Sequence, residues 1–157
     1  MAILFLDVDG VMNGDEFLNR DRVSDADAGW IQWWLDYFDP RNVEVLNGLT
    51  ERTGASIVLS STRRNWASME DLREILRRAG LKAELVGRTP YLKGRPRGEE
   101  IRAWLDGAEG VEAYVILDDD DDMGGLEDRF VRIDSRTGLT EPDAERAAQI
   151  LEAGRRP

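Results

Sequence analysis

The stretch ILFLDVDGVMN at residues 3–13 decides the fold class of this chain. It begins as an apolar run, which is typical of a strand buried on both faces of a sheet. It ends in Asp7 and Asp9, and Gly10 then lets the backbone turn out of the sheet. If the strand continued, the i, i+2 spacing would place both carboxylates on one side. Ligands bind beyond the carboxyl ends of strands in open parallel sheets. The pattern therefore predicts two acids at an edge of the sheet that binds a ligand. The alternative is a strand that simply ends in a polar turn, because Asp and Gly are common turn residues.

The composition narrows the kinds of chemistry that the chain can perform. Its 157 residues, 41% apolar and 34% charged, predict one soluble globular domain. There is no cysteine and no histidine, so disulfides, thiol nucleophiles, Ser-His-Asp triads and histidine metal sites are excluded. Acid–base catalysis must therefore use Asp, Glu, Lys or Tyr.

The charge and the hydropathy pattern suggest which partners the protein has and in which compartment it is found. The net charge of -11 argues against an extended nucleic-acid-binding face, because such faces are basic. The apolar start at residues 1–6 is too short for a signal-peptide core, and no stretch has the length of a membrane span. We therefore expect a cytoplasmic protein with no membrane partner.

Apolar periodicity predicts strands that alternate with helices along the chain. Strands are predicted at 2–8, 56–60, 83–86, 114–118 and 130–133, and helices at 41–52, 68–79, 97–105 and 141–153. A further helix, capped by Ser24 or Asp25, carries the aromatic residues between Trp30 and Phe38, and residues 13–23 are predicted to be irregular. Alternating strands and helices favour a Rossmann-like three-layer α/β/α sandwich with a mainly parallel five-stranded sheet.

Three predicted strands end in polar side chains. Leu6 is followed by Asp7, Leu117 by Asp118 and Asp119, and Leu59 by two serines. If these strands are neighbours, their ends form a carboxylate cluster, and clustered carboxylates repel one another unless a cation lies among them. Oxygen ligands of this kind suit Mg²⁺. A calcium-binding loop counted from Asp118 fails, because its sixth and twelfth positions are Met123 and Arg129.

Taken together, these motifs resemble the haloacid dehalogenase (HAD) superfamily in its phosphatase branch. The residues that match its first, second and fourth motifs are DVDGV at 7–11, Ser60 or Ser61, and LDD at 117–119. More narrowly, the chain is similar to the small HAD domains of bacterial "Swiss army knife" RNA-repair proteins. That similarity lies at DP 39–40, IVLSS 57–61 with Arg64, RGEEI 97–101 with WL 104–105, VILDD 115–119 and GLT 138–140. The resemblance implies a single HAD-like hydrolase domain over residues 1–157, with a small or absent cap.

The resemblance also implies a mechanism. Asp7 would attack phosphorus and form an aspartyl-phosphate, while Asp9 would act as the general acid and base. Mg²⁺ would be bound by Asp7, by the backbone carbonyl of Asp9 and by Asp118 or Asp119. We expect Asp122 near the metal ligands, and Asp120 and Asp121 in solvent.

The second and third motifs each leave two candidates for phosphate binding. The order hydroxyl, one residue, arginine favours Ser61 paired with Arg63, whereas the narrower family pairs Arg64 with this loop, so Ser60 stays a candidate. For the basic residue of the third motif, Arg97 at the start of a predicted helix is preferred and Lys93 is the alternative.

The sequence also leads to expectations about a cap, about the substrate and about the class of function. A minimal helical cap is expected at about residues 14–40, where the aromatic helix either packs in the core or covers the site. The function expected is a Mg²⁺-dependent phosphomonoester hydrolase that acts on a small phosphate ester or a phosphorylated nucleic-acid end. The alternative is a catalytically idle module of the same fold that binds or regulates, although such a copy would be expected to lose Asp7 or Asp9.

Overall fold

A five-stranded sheet lies at the centre of the computed structural model, which describes residues 1–20 and 29–155. Its strands are β1 (Ala2–Leu6), β2 (Ser56–Leu59), β3 (Leu85–Arg88), β4 (Ala113–Asp118) and β5 (Phe130–Arg132). Their order is β3-β2-β1-β4-β5, and every pair of neighbours is parallel. Because β1 lies between β2 and β4, the ends of these three strands are adjacent.

Helices connect the strands of the sheet. In the described ranges they are α1 (Asp15–Leu18), α2 (Trp30–Leu35), α3 (Pro40–Thr53), α4 (Met69–Arg78), α5 (Arg97–Asp106) and α6 (Glu141–Gly154), with 3-10 turns at Thr62–Asn65 and Glu127–Arg129. Local signals explain several boundaries: the Asp39 side chain accepts from the Arg41 N–H at the start of α3, and Gly54 ends that helix at a φ of 62°.

Apolar side chains cover both faces of the sheet. Leu4 and Leu6 of β1 pack on one face with α3, α4 and α6, whereas Ile3 and Phe5 pack on the other with Ile101 of α5. This two-sided burial is what the continuous apolar run predicted. The predicted Rossmann-like α/β sandwich is confirmed, and its sheet is entirely parallel.

Several element boundaries differ from the sequence prediction. β1 ends at Leu6, so the two acids lie in the following turn. The third strand begins at Leu85, two residues later than predicted, beside a register irregularity between Ile57 and Val58. The aromatic helix ends at Leu35, and the predicted cap residues 24–25 lie outside the described residues. The short helix α1 was missed because four residues carry too little periodicity.

Within residues 1–20 and 29–155, none of the helices combines the length and the apolar character needed to cross a bilayer.

Candidate active site

The ends of β1, β2 and β4 form the candidate site. Leu6 is in register with Leu59 of β2 and with Leu117 of β4. The Asp7 N–H donates to the Leu117 carbonyl at 3.0 Å, and the Ser60 N–H donates to the Leu6 carbonyl at 2.9 Å. The sheet hydrogen bonding therefore extends past β1 and fixes Asp7 between the residues that follow its two neighbouring strands.

Three carboxyl groups meet at this edge of the sheet. One oxygen from each of Asp7, Asp118 and Asp119 lies within 4.8 Å of the other two. Asp118 is fully buried and Asp7 nearly so. These are the strand-end acids that the sequence placed together.

Asp119 reaches this cluster because residue 10 is a glycine. Gly10 has a φ of 76°, and a Cβ atom there would lie 2.5 Å from Oδ2 of Asp119. Any larger residue would therefore displace the Asp119 carboxyl group. The turn is held by Asn13, whose Oδ1 accepts from the Gly10 N–H at 2.9 Å.

Burial without enough compensating contacts disturbs the ionisation of all three acids. Desolvation raises the pKa of Asp7 to about 6, against the opposing effect of Arg97. Desolvation and then the charge of Asp7 raise the pKa of Asp118 to about 8. The pKa of Asp119 is also raised, first by burial and then by the charge of Asp120. The site is therefore unfavourable for three bare carboxylates.

The donor set fits a divalent cation. Asp118 Oδ1 accepts from the Asp120 N–H at 3.0 Å, whereas Oδ2 is buried and lacks a hydrogen-bond partner among the described residues. Arg97 Nε lies 3.4 Å from that oxygen and offsets part of its charge. An unsatisfied buried carboxylate oxygen beside two other acids is the environment that Mg²⁺ favours, because Mg²⁺ prefers oxygen ligands.

The two serines after β2 have different environments. The Ser61 side chain lowers the pKa of Asp7, in opposition to burial, and Ser61 Oγ accepts from the Arg63 N–H at 3.3 Å. The Ser60 hydroxyl is buried and has no partner in the described part of the chain. Ser61 is thus the serine in contact with the candidate nucleophile.

The two candidate cations also differ. Arg97 begins α5, its side chain is 12% exposed, and it lies beside Asp118 and Glu100. Lys93 is exposed in the loop between β3 and α5. The structure therefore brings Arg97 to the carboxylate cluster and leaves Lys93 in solvent.

Asp9 does not join the carboxylate cluster through its side chain. Its two oxygens accept from Nε and Nη2 of Arg63 at 2.7 and 2.8 Å. β1 ends at Leu6 rather than at the predicted residue 8, and the chain turns at Val8, whose carbonyl accepts from the Met12 N–H at 2.8 Å. The continuing strand that would place Asp7 and Asp9 on one side is therefore not present.

A buried ion pair behind the site was missed by the sequence reasoning. Arg64 is fully buried, donates to the carbonyls of Ser60 and Ser61, and pairs with Glu100 at 2.6 Å. Glu100 in turn accepts from the Leu92 N–H at 2.9 Å. The network joins the loops after β2 and β3 to α5, so Arg64 supports the serine loop from behind. The resemblance places Arg64 at the serine loop, but the sequence indicates no partner for it, because nothing in the RGEE motif at 97–100 connects Glu100 to that loop.

The remaining acids of the 118–122 run have other roles. Asp122 Oδ2 accepts from the Arg97 N–H at 2.8 Å, so Asp122 caps α5 and contacts the site only through that helix. Asp121 is exposed and pairs with Arg132 at 3.2 Å. Asp120 is also exposed.

This parallel sheet, with an Asp-x-Asp turn after its central strand and paired acids after the neighbouring strand, defines a HAD-like α/β protein. Residues 3–144 match the family model described as the HAD domain in Swiss Army Knife RNA repair proteins, and the chain belongs to that family. Neither the curated proteins nor the solved structures include a match to this chain. Membership of the HAD superfamily suggests a hydrolase.

Proposed function

We propose that the chain is a Mg²⁺-dependent phosphomonoester hydrolase. The observation that carries the proposal is the cluster of the buried Asp7 and Asp118 with the half-buried Asp119, next to Arg97 at the end of the central strand. A nucleophile, metal ligands and a cation for the phosphate are thereby available within one small region, and the family is one of HAD domains.

The first step uses Asp7 and Asp9. An Asp7 carboxylate oxygen forms a bond to phosphorus, and the bond from phosphorus to the ester oxygen breaks, which leaves an aspartyl-phosphate. Asp9 gives its proton to the departing oxygen, so the product leaves as an alcohol. In this turn Asp9 is 48% exposed at its side chain, whereas Asp7 is buried, and this difference suits an acid that meets the leaving group on the solvent side.

The second step reverses the role of Asp9. Asp9 accepts a proton from water, the water oxygen bonds to phosphorus, and the bond between phosphorus and Asp7 breaks. Inorganic phosphate leaves and the Asp7 carboxylate is restored. Over the two steps, Asp9 therefore loses one proton and regains one.

The phosphate oxygens need hydrogen-bond donors during both steps. Ser61, in contact with Asp7, and Arg97, beside Asp118, are the preferred donors, with Ser60 and Lys93 as the weaker candidates. Asp7, Asp118, Asp119 and the Asp9 backbone carbonyl would hold Mg²⁺. When bound, Mg²⁺ supplies positive charge that offsets the repulsion between phosphate and carboxylates.

The substrate is proposed to be a small phosphate ester or a phosphorylated nucleic-acid end. We take residues 1–157 as a single domain with a minimal cap insertion at about 14–40. Trp34 and Phe38 in that segment belong to the core, whereas Trp30 and Trp33 are exposed, so the segment is partly core and partly surface. An insertion of this size would leave the site open to both substrate classes.

The test is phosphate release from a panel of substrates, measured with Mg²⁺ and with EDTA. The panel contains alkyl and aryl phosphates, nucleoside monophosphates, and oligonucleotides with 3′- or 5′-phosphate. We expect Mg²⁺-dependent release from at least one class. A folded protein that binds Mg²⁺ but releases phosphate from none of them would overturn the proposal and support the idle module.

A further inference from the structure

Arg63 is the residue that contacts Asp9 most directly, and the mechanism above does not use it. Its guanidinium donates to both Asp9 oxygens at 2.7 and 2.8 Å, which is the two-point geometry of a strong arginine–carboxylate pair. The Arg63 side chain is only 7% exposed. Because Arg63 is buried and pairs with an acid of the candidate site, it differs from an arginine that is merely solvated at the surface.

Four aromatic rings surround the Arg63 guanidinium. We call them the aromatic cage, and they are Trp33, Trp34, Tyr37 and Trp66. The guanidinium carbon lies 3.9 Å from the centroid of the Tyr37 ring and 5.2–5.5 Å from the other three. Nη1 of Arg63 is buried without a hydrogen-bond partner in the described residues, so cation–π attraction offsets the cost of burying the charge.

The cage is also connected to the Asp9 turn through the backbone. Asn13 accepts from the Gly10 N–H and donates from Nδ2 to the Tyr37 carbonyl at 2.7 Å. The Asp39 N–H donates to the Met12 carbonyl at 2.8 Å. Asp9 and the cage are therefore held in one relative position by side-chain and main-chain contacts together.

We propose that Arg63 is a positioning residue for Asp9, and that the aromatic cage fixes Arg63. The proposal rests on the proposed function, because it concerns the acid of that reaction. For the first step, the Asp9 oxygen that releases its Arg63 contact takes a proton from solvent and passes it to the leaving oxygen of the ester. The other oxygen keeps its Arg63 contact and holds the carboxyl group in the site. Since two stiff contacts and four rings define the position of the guanidinium, they restrict where the acid can act.

The cage rings, two on α2 and two just after α2 and the 3-10 turn, thereby acquire a role in proton transfer without touching the reacting atoms. A helix segment that the sequence read as core or cap would instead control the rate for esters with poor leaving groups. Such esters depend on protonation of the leaving oxygen, whereas aryl phosphates depend on it much less.

The experiment compares kcat/KM for an alkyl phosphate and an aryl phosphate, since kcat/KM includes the step in which the leaving group departs. Asp9→Asn is the reference variant that lacks the acid. We expect Arg63→Met to lower kcat/KM for the alkyl phosphate by about 100-fold and for the aryl phosphate by less than about 10-fold. Arg63→Lys, which keeps the charge but loses the fork, should fall between Arg63→Met and the unmodified protein.

A double variant separates positioning from a general structural effect. If Arg63 acts through Asp9, then Arg63→Met adds almost nothing to the loss already caused by Asp9→Asn. Additive losses, or equal losses for both substrates, would overturn the proposal and indicate that Arg63 binds phosphate or only supports the fold. Activity of the unmodified protein in the same assay shows that the proposed function itself has not failed.

A cage variant protects the test against misfolding of Arg63→Met. Trp66→Leu removes a ring that is 59% exposed, and Trp30→Leu is the matched control, an exposed tryptophan on α2 outside the cage. We expect Trp66→Leu to reduce the alkyl rate about 3- to 10-fold with a smaller aryl loss, and Trp30→Leu to leave both rates unchanged. Identical behaviour of the two variants would contradict a role for the cage.

Discussion

Five aspartates follow one another at residues 118–122, yet the structure divides them into two groups. Asp118 and Asp119 join Asp7 in the carboxylate cluster, whereas Asp120, Asp121 and Asp122 are exposed. The side chains are chemically identical, so position relative to the end of β4 accounts for the difference. Asp118 ends the buried strand and Asp119 directly follows it, so both meet the neighbouring strand ends, whereas the acids from Asp120 onward face solvent.

This difference shows that the number of negative charges in a run does not identify which of its residues form a ligand-binding site. The exposed members of the run are engaged in local structure, as in the capping of α5 by Asp122. Asp118 is buried and keeps a carboxylate oxygen without a hydrogen bond in the described chain, and both Asp118 and the half-buried Asp119 have raised pKa values. Unsatisfied burial, rather than the number of acids, is what points to a ligand.

The largest effect on activity is expected for Asp7→Asn, which removes from the carboxylate cluster the acid that follows β1. Asn is nearly isosteric but a poor nucleophile, so phosphatase turnover should fall by about 10³-fold or more. The fold should be retained, because the change also removes a desolvated charge. Phosphate release and thermal unfolding are measured on the same preparation. Normal turnover by a folded Asp7→Asn protein would remove Asp7 from the mechanism.

Asp118→Asn tests the fully buried acid of the run. Ligands that bind only the folded state raise its apparent stability, so millimolar Mg²⁺ should raise the Tm of the unmodified protein beyond the effect of matched ionic strength. We expect Asp118→Asn to abolish most of that increase and to lower activity by about 100-fold. Retention of the full Mg²⁺ effect would show that Asp118 is not a ligand.

The raised pKa values of Asp7 and Asp118 predict that the Tm measured without metal depends on pH. Because the pKa of Asp7 is raised from 3.8 to about 6 and that of Asp118 from 3.8 to about 8, the folded state binds more protons than the unfolded state at pH values between these limits. The contribution of these groups is full at low pH and is lost as pH rises through about 6 and about 8. In EDTA, Tm should therefore be lower at pH 8.5 than at pH 6.

Matched variants locate the source of that pH dependence. Asp118→Asn should flatten the decline in Tm between pH 6 and pH 8.5, since Asn does not titrate, and saturating Mg²⁺ should also reduce it because the cation favours the ionised acids. A decline that is unchanged in Asp118→Asn would assign the effect to other groups.

The fold was largely predictable because its signals are local. The apolar residues 3–6 specify a strand buried on both faces, and Asp39 followed by Pro40 specifies the start of α3. The strand ends then brought Asp7, Asp118 and Asp119 together by topology alone. Hydrophobic period and chain order predicted the strands and the acids at their ends, whereas the adjacency of β1, β2 and β4 was a condition of the prediction that the structure meets.

The partners of the site arginines were not predictable in the same way. Arg63 pairs with Asp9 across 54 positions of sequence, and Arg64 pairs with Glu100 across 36. Two adjacent arginines in a 3-10 turn therefore point to different partners, one to the site and one into the core. Backbone direction at residues 62–65 decides this, and neither propensity nor spacing reports it.

The smallest effect is expected for Asp121→Asn, the matched control for Asp118→Asn. Asp121 is 73% exposed at its side chain, and its pairing with Arg132 at 3.2 Å lies at the surface, where ion pairs contribute little. Activity should stay within about 2-fold, Tm within about 2 °C, and the Mg²⁺ increase should be kept. Both variants remove one carboxylate from the same run, so the change in net charge is identical and only position differs. If Asp121→Asn were as damaging as Asp118→Asn, β4 would have to continue two or three residues beyond Asp118, and the metal ligands would move along the run with it.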